Sequence, residues 1–277
     1  MEIKDKVALV LGGSKGIGRA IARALAEKGT RLVLPYHHDW PEESGEMQRE
    51  FAGLGENLLA TQVDLRDKDQ VQNLIVQIQQ KFGALHILVN NIERGGMPVL
   101  HGSYDLAGNS EQWDLEMDTT LKAKWLVIHS GLPLLKASGE GVIINISSIA
   151  GIVGRTGPAG LIYSDGYGAA NRAVSALTRT WAREAAPNVR VNELMLGFFE
   201  TRHGPGTKGW ELLKDSEKQA IVAHTLLERT GRLEDIVKAV FFLIEDAPFI
   251  TGAVLRLDGG YVLGGEKIPA MPPGSLF

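Results

Sequence analysis

The feature that most constrains this chain is a short apolar run followed at once by a glycine-rich turn and then by an amphipathic segment. The run is Val7–Leu11, the turn covers residues 12–18 with the sequence GGSKGIG, and apolar residues then recur at helical spacing. Glycine permits positive φ angles and a close approach of the backbone to a ligand. The start of a helix adds free N–H groups and a partial positive charge. The spacing alone is a weak signal, but in this strand–turn–helix context it predicts a site for the pyrophosphate of a dinucleotide. The predicted contact residues in the turn are Gly12, Ser14, Lys15, Gly16, Ile17 and Gly18.

Short apolar runs alternate with amphipathic segments along the rest of the chain. The predicted strands cover residues 7–11, 31–36, 57–63, 86–90, 141–147, 189–195 and 253–257. Runs that are apolar at nearly every position are typical of parallel strands covered on both faces. We therefore predict an α/β fold, a single Rossmann-type doubly wound parallel sheet of about seven strands with helices on both faces. This domain is predicted to span residues 1–263, and residues 264–277 are predicted to form a C-terminal tail.

Composition excludes several classes of function. The chain has 277 residues, no cysteine and a net charge of -4, so disulfides, cysteine-ligated zinc and a cysteine nucleophile are excluded. The mild acidity predicts no nucleic-acid partner, because such a partner favours a basic face. No run reaches the ~18 apolar residues of a membrane helix, and the N-terminal residues lack a signal-peptide pattern. We expect a cytoplasmic protein with no membrane partner.

The end of the second predicted strand bears on the choice of cofactor. An acidic residue usually stands there in NAD-binding sites, to bind the ribose 2′-hydroxyl. This chain reads His37-His38-Asp39 beyond the strand, and His37 together with Lys15 could meet a 2′-phosphate. The pattern therefore favours NADP, with NAD as the alternative. We interpret the His-His-Asp sequence as a solvated loop and predict no metal site.

Two segments are predicted to leave the core near the carboxyl edge of the sheet, where open α/β sheets bind ligands. Residues 95–110 are rich in Gly, Pro and polar residues and are predicted to form a loop. Residues 198–227 are predicted to form a loop followed by a helix. We expect these two segments to determine the choice of substrate.

Several short motifs are spread along nearly the whole chain: Asp64-Leu65, Val89-Asn90-Asn91, Ile144–Ser148, Tyr167 with Ala173–Arg179, and Phe249–Tyr261. Together they resemble the short-chain dehydrogenase/reductase family, and in particular its 3-oxoacyl-carrier-protein reductases. The resemblance implies an oxidoreductase that moves hydride between a nicotinamide and a small-molecule ketone or secondary alcohol. It also implies a homo-oligomer, as a tetramer.

The resemblance assigns roles to individual residues. It implies that the Ser148 hydroxyl holds the substrate oxygen while the Tyr167 hydroxyl exchanges a proton with it. It implies cofactor contacts at Asp64 near the adenine, at Thr201 near the carboxamide, and at Leu65 and Asn90.

The chain departs from the family pattern four residues after the tyrosine, where Asn171 replaces a lysine. In the family, that lysine lowers the tyrosine pKa, which is about 10 when unperturbed, and also holds the cofactor ribose. Asn171 can bond to a ribose hydroxyl but supplies no charge. Arg172 points about 100° away around the helix and is a poor substitute. We keep Asn171 in the predicted catalytic set, with an altered role.

Other departures surround the same pocket. Glu93 stands where the family has a glycine, and Thr120 stands where it has an asparagine. A longer spacer precedes Tyr167, so residues 155–165 are predicted to form an extended loop. Tyr163, one turn before Tyr167, either lines the pocket, replaces Tyr167 or packs the loop, and we favour packing. Three functions remain open: an oxidoreductase with a modified proton relay, a dinucleotide-binding protein with little or no reductase activity, or another reaction in the same pocket.

Overall fold

Seven parallel strands form one sheet in the order β3-β2-β1-β4-β5-β6-β7. The computed structural model describes residues 1–93, 107–201, 210, 213–266, 268–270 and 274. The strands are β1 (Val7–Val10), β2 (Arg31–Tyr36), β3 (Leu58–Gln62), β4 (Ile87–Asn90), β5 (Gly141–Ser148), β6 (Val189–Leu196) and β7 (Val254–Leu257). Each predicted run overlaps one of these strands, although β5 and β6 each extend one residue further, and the predicted parallel sheet is confirmed.

The direction of winding reverses beside β1. Ala8 of β1 pairs with Leu32 of β2 on one side and with Ile87 of β4 on the other. The crossovers on the two sides therefore run in opposite directions. A crevice opens at such a switch point beyond the carboxyl ends of the strands, which makes it the usual ligand site in open α/β sheets.

Helices cover both faces of the sheet. They are α1 (Gly16–Glu27), α2 (Pro41–Phe51), α3 (Lys68–Phe82), α4 (Ala107–Glu116), α5 (Ala123–Ala137), α6 (Ala150–Val153), α7 (Asp165–Ala185), α8 (Asp215–His224) and α9 (Leu233–Phe241). One apolar layer includes Ile21 of α1 and Val240 of α9. The other includes Leu74 of α3 and Val127 of α5.

The prediction of a loop over residues 95–110 was wrong at its end, because residues 107–110 already belong to α4. Gly108, Asn109 and Ser110 have low helix propensity, and this is why the sequence predicted a loop there. Packing overrides it: α4 lies so close to α7 that a Cβ on Gly166 would stand 3.1 Å from the Cα of Trp113. Residues 94–106 lie outside the described part of the chain.

A π-helical stretch, Met117–Lys122, joins α4 to α5. Such a widened turn carries one residue more than the α-helical path would, and it is frequent at functional sites. Within it, the Thr119 hydroxyl donates to the carbonyl of Leu115 at 2.7 Å. Immediately after it, α5 buries Ala123 and Lys124.

The predicted loop before Tyr167 contains a short 3-10 turn, Pro158–Leu161. Its two ends are joined by an ion pair between Arg155 and Asp165, 3.6 Å apart. The predicted helix within residues 198–227 corresponds to α8. The described residues of the tail, residues 264–266, 268–270 and 274, contain no helix or strand. None of the helices in the described ranges has the length and apolar character that a membrane crossing requires.

Candidate active site

The glycine turn between β1 and α1 forms a cradle open to an anion. Gly12 has a φ of +67° and Gly16 a φ of +54°, and a Cβ at Gly16 would meet nothing within 4 Å. A Cβ at Gly18 would instead overlap the carbonyl oxygen of Gly12. No side chain in the described ranges caps the start of α1, whose first turn carries no acidic residue. The backbone at Gly16 and the uncapped helix end therefore fit a dinucleotide pyrophosphate.

Other residues of the turn lie around this cradle. Ser14 is buried, while Ile17 is partly buried against the core. Lys15 immediately precedes α1, and its Nζ lies 3.0 Å from the ring centroid of Trp40 and 4.0 Å from a carboxylate oxygen of Glu43. Lys15 is thus positioned beside the entry to α2, at the end of the crevice next to β2.

The histidine predicted to meet a 2′-phosphate lies between two carboxylates. His37 Nδ1 is 3.1 Å from Asp39, and His37 Nε2 is 3.7 Å from Asp64. Arg66 forms a closer pair with Asp64, with its Nη2 at 2.7 Å. Those bonds from Arg66 hold the pKa of Asp64 at about 2, although partial burial opposes the shift. Asp64 is therefore ionised at neutral pH.

Three more predicted cofactor residues lie along the same edge. Leu65 is buried in the apolar layer that includes Leu74 of α3. Asn90 is fully buried, and its Nδ2 donates to Asn145 Oδ1 at 3.2 Å. The Oδ1 of Asn90 has no hydrogen-bond partner among the described residues. The Thr201 N–H donates to the Phe199 carbonyl at 2.6 Å, and residues 202–209 beyond it lie outside the described ranges.

The structure brings the predicted catalytic residues together where β5 ends and α7 begins. Ser148 is the last residue of β5, and its hydroxyl accepts a hydrogen bond from the Ala150 N–H at 3.1 Å. The Ser164 hydroxyl caps α7 and sets its start, so Tyr167 lies in the first turn. Tyr163 is fully buried and stacks on Tyr167 with ring centroids 5.9 Å apart.

Tyr163 packs in a buried cluster with Tyr167 and Phe198, as the favoured interpretation of packing predicts. The Ser148 side chain interacts with the Tyr163 hydroxyl and opposes the effect of burial, which raises the pKa of Tyr163 far above its ordinary value. The aromatic ring packs on Phe198 at 5.8 Å. Tyr163 therefore serves packing and at the same time contacts a predicted catalytic residue.

Glu93 binds the predicted catalytic tyrosine directly. The Tyr167 hydroxyl donates to Glu93 Oε2 at 2.9 Å, across 74 positions of sequence. Asn171 is buried, and its Nδ2 donates to the backbone carbonyl of Tyr167 at 3.0 Å. The Asn171 Oδ1 has no hydrogen-bond partner among the described residues. The side chain that replaces the family's lysine is thus bonded to the backbone of α7.

A buried polar network that includes Lys124 and Glu193 was not predicted from the sequence. Lys124 of α5 is only 1% exposed, and its Nζ donates to the carbonyl of Ile146 at 2.7 Å. Glu193 of β6 is fully buried and accepts hydrogen bonds from Ser175, at 2.8 Å, and from Ser147. Burial raises the pKa of Glu193, against the opposing bonds from the two serines. One sequence signal was available, because Glu193 is the one acidic residue of β6, a strand whose side chains are almost all buried.

Comparison with known proteins shows the family to which this chain belongs. A family model described as "Enoyl-(Acyl carrier protein) reductase" matches residues 12–262, from the glycine turn to the segment after β7. The chain belongs to the short-chain dehydrogenase/reductase family. Among its relatives within this family is the 3-oxoacyl-[acyl-carrier-protein] reductase FabG of Thermotoga maritima. It is 30% identical over 268 residues, which cover 95% of this chain and 100% of the relative.

Two further relatives show how widely the resemblance extends. The 3-oxoacyl-[acyl-carrier-protein] reductase FabG of Staphylococcus aureus (strain Mu50) is 32% identical over 92% of this chain and 97% of its own length. Cis-4-hydroxycyclohexanecarboxylate dehydrogenase of Sinomonas cyclohexanicum is 32% identical over 93% of this chain and 96% of its own length. Membership in the short-chain dehydrogenase/reductase family confirms the predicted resemblance and identifies the chain as belonging to a family of oxidoreductases.

Proposed function

We propose that this protein is an NAD(P)-dependent oxidoreductase that transfers hydride between a nicotinamide and a small-molecule ketone or secondary alcohol. The observation that carries the proposal is the placement of Tyr167 and Ser148 at the carboxyl edge of the sheet. The open cradle at Gly16 lies on the same edge. Both relatives named as reductases and the relative named as a dehydrogenase support this class of reaction.

Ser148, Tyr167 and Glu93 have different roles in the reduction of a carbonyl group. When bound, the reduced nicotinamide supplies the hydride that the carbonyl carbon accepts. The Ser148 hydroxyl holds the carbonyl oxygen, and the Tyr167 hydroxyl gives it a proton, so the product is a neutral alcohol. Solvent returns a proton to Tyr167, and the half-buried carboxylate of Glu93, 2.9 Å away, provides the route. Oxidation of the alcohol runs the same steps in reverse.

The test follows nicotinamide absorbance while the protein is incubated with NADPH and a panel of cyclic, acyclic and acyl-thioester ketones. We expect absorbance to fall with at least one ketone. The segments expected to determine the choice of substrate include residues 94–106 and 202–209, which lie outside the described ranges, so the panel must be broad. Bound cofactor with no turnover across the panel would contradict the proposal.

A second candidate function is dinucleotide binding with little or no reductase activity. Two contacts favour it: the carboxylate of Glu93 already accepts the Tyr167 hydroxyl, and Asn171 supplies no charge beneath it. The same absorbance assay separates the two functions, because a pure binding protein retains cofactor affinity and leaves every ketone unreduced.

We further propose NADP as the preferred cofactor, because Lys15 and His37 lie at the end of the crevice that receives the adenosine ribose. Lys15→Met is expected to weaken NADPH binding about tenfold and NADH binding much less, since only NADPH carries the 2′-phosphate. Fluorescence titration with both cofactors measures the difference. Lys28→Met is the matched control, because Lys28 follows the other end of α1 and pairs with Glu245. Equal losses for both cofactors would contradict this role of Lys15.

We also propose a homotetramer in the cytoplasm. Trp113 of α4 and Trp125 of α5 are 41% and 45% exposed, unusually open for such large apolar rings. Trp125 stacks on His129 with centroids 5.4 Å apart, which presents a flat aromatic surface. We expect light scattering at micromolar concentration to give a tetramer, and Trp125→Glu to dissociate it. A monomeric parent protein would show that this surface has another role.

A further inference from the structure

Lys124 is a buried cation for which the proposed reaction has so far given no role. Its side chain is 1% exposed, and its amine is held by the carbonyl of Ile146, two residues before Ser148. Taking a lysine amine out of water is costly unless nearby opposite charges compensate it. The environment of Lys124 therefore needs an explanation.

Three carboxylates attract the ammonium of Lys124: those of Glu93, just after β4, of Glu116 in α4 and of Glu193 in β6. Burial is the largest influence and lowers the pKa of Lys124 to about 8, while the three attractions oppose it. Lys124 is thus mostly protonated at neutral pH and loses its charge as the pH rises through about 8.

The three carboxylates differ in how they can pair with this charge. Glu193 is fully buried, and its Oε2 has no hydrogen-bond partner among the described residues, which favours its neutral form. Glu116 accepts a bond from Thr120 at 3.1 Å. Glu93 accepts the hydrogen bond that the Tyr167 hydroxyl donates, at 2.9 Å. The attraction between Lys124 and Glu93 therefore links the buried cation to the proposed proton donor.

The reaction creates a need for positive charge at this point. When Tyr167 gives its proton to a carbonyl oxygen, the pair formed by Tyr167 and Glu93 gains one negative charge. Asn171 supplies no compensating charge, and Arg172 is exposed on the outer face of α7. A cation in a low-dielectric interior stabilises such developing charge strongly.

We propose that Lys124 is a positioning residue that supplies, from α5, the positive charge absent at Asn171, and that it acts through Glu93 on Tyr167. This inference rests on the proposed oxidoreductase function. The positive charge that stabilises the Tyr167–Glu93 pair is then the buried ammonium of Lys124 on α5, rather than a side chain of α7.

The first test compares Lys124→Met with Lys122→Met. Lys122 lies two residues earlier, is exposed and pairs with Asp118 at 3.2 Å, so it controls for loss of a lysine in this region. We expect Lys124→Met to lower kcat about 100-fold and Lys122→Met to leave it within about twofold. The parent kcat should fall as the pH rises through about 8, and Lys124→Met should lack that alkaline limb. Equal kcat values and pH profiles in the two variants would overturn the proposal.

A rescue experiment separates a charge effect from a packing effect. Asn171→Lys places a cation one turn after Tyr167, and we expect it to restore kcat about tenfold in the Lys124→Met background. In the parent background Asn171→Lys should raise kcat by a smaller factor, because Lys124 already supplies the positive charge. A purely structural Lys124 would give no such dependence on background, and that result would contradict the proposal.

A measurement without catalysis keeps the inference testable if Lys124→Met fails to fold. Lysine-selective labelling allows the Lys124 amine to be titrated by NMR, with Lys124→Arg as a second variant for assignment. Glu93→Gln should move its titration to lower pH, whereas Glu42→Gln, at the exposed start of α2, should not. An unchanged titration in Glu93→Gln overturns the inference whether or not the protein reduces ketones. A shifted titration with no ketone reduced would instead remove the proposed function and leave the Lys124–Glu93 coupling established.

Discussion

Gly18→Ala is expected to abolish dinucleotide binding and to lower the free energy of unfolding by about 2 kcal/mol. The added Cβ would overlap the carbonyl oxygen of Gly12 and stand 3.0 Å from the Asn91 side-chain amide. The Gly12 carbonyl is backbone, so it cannot swing aside as a flexible side chain can. The glycine turn and α1 must therefore move apart, and the N–H groups that should receive the pyrophosphate lose their common direction.

Fluorescence titration with NADPH and urea denaturation measure the two effects of Gly18→Ala. Gly53→Ala is the matched control, because a Cβ there would meet nothing within 4 Å and the residue has no positive φ. We expect Gly53→Ala to leave both cofactor affinity and stability nearly unchanged. Normal cofactor affinity in a stably folded Gly18→Ala protein would show that the dinucleotide does not depend on this turn.

Tyr167→Phe is expected to lower kcat by about 10²- to 10⁴-fold, because it removes the group that exchanges a proton with the substrate oxygen. The phenyl ring keeps its packing, since Tyr167 lies in an apolar cluster with Ile149 and Met195. Cofactor affinity should therefore change little. Single-turnover absorbance gives the rate of the chemical step, and fluorescence gives the cofactor affinity of the same preparation.

Tyr163→Phe provides the comparison that identifies the proton donor. It removes a hydroxyl that interacts with the Ser148 side chain and keeps the stacking on Tyr167, so we expect a smaller loss of kcat than for Tyr167→Phe. A larger loss for Tyr163→Phe would assign proton transfer to Tyr163. In that case Tyr163 would replace Tyr167 as the proton donor, and the hydrogen bond between Glu93 and Tyr167 would need another explanation.

The sheet could be predicted from the sequence because its strands are buried on both faces. A strand such as β2 is apolar at almost every position, and the helices that cover it show the complementary helical period. The start of α4 could not be predicted in the same way. Its first residues are poor helix formers, and the packing of Trp113 against Gly166 depends on α7, more than 50 positions further along the chain.

The site residues differ in the same way: some belong to local sequence motifs, and others depend on contacts between distant segments. Ser148, Tyr167 and the glycine turn each belong to a contiguous motif, so the sequence was sufficient to predict them. The contact between Glu93 and Tyr167 joins segments 74 positions apart, and only the folded chain brings them together. Lys124 was missed because a lysine in a helix usually lies on the solvated face, and its inward direction depends on the rotation of α5.

That rotation is set by the π-helical stretch Met117–Lys122. Each residue advances an α-helix by about 100°, so losing one residue from the widened turn would carry every later side chain of α5 a quarter-turn or more around its axis. Lys124 would then lose its hydrogen bond to the Ile146 carbonyl although Lys124 itself is not substituted. A one-residue insertion or deletion in this stretch can thus add or remove a buried charge near Tyr167. Related chains of differing length in this stretch are therefore the natural place to look for the same cation gained or lost.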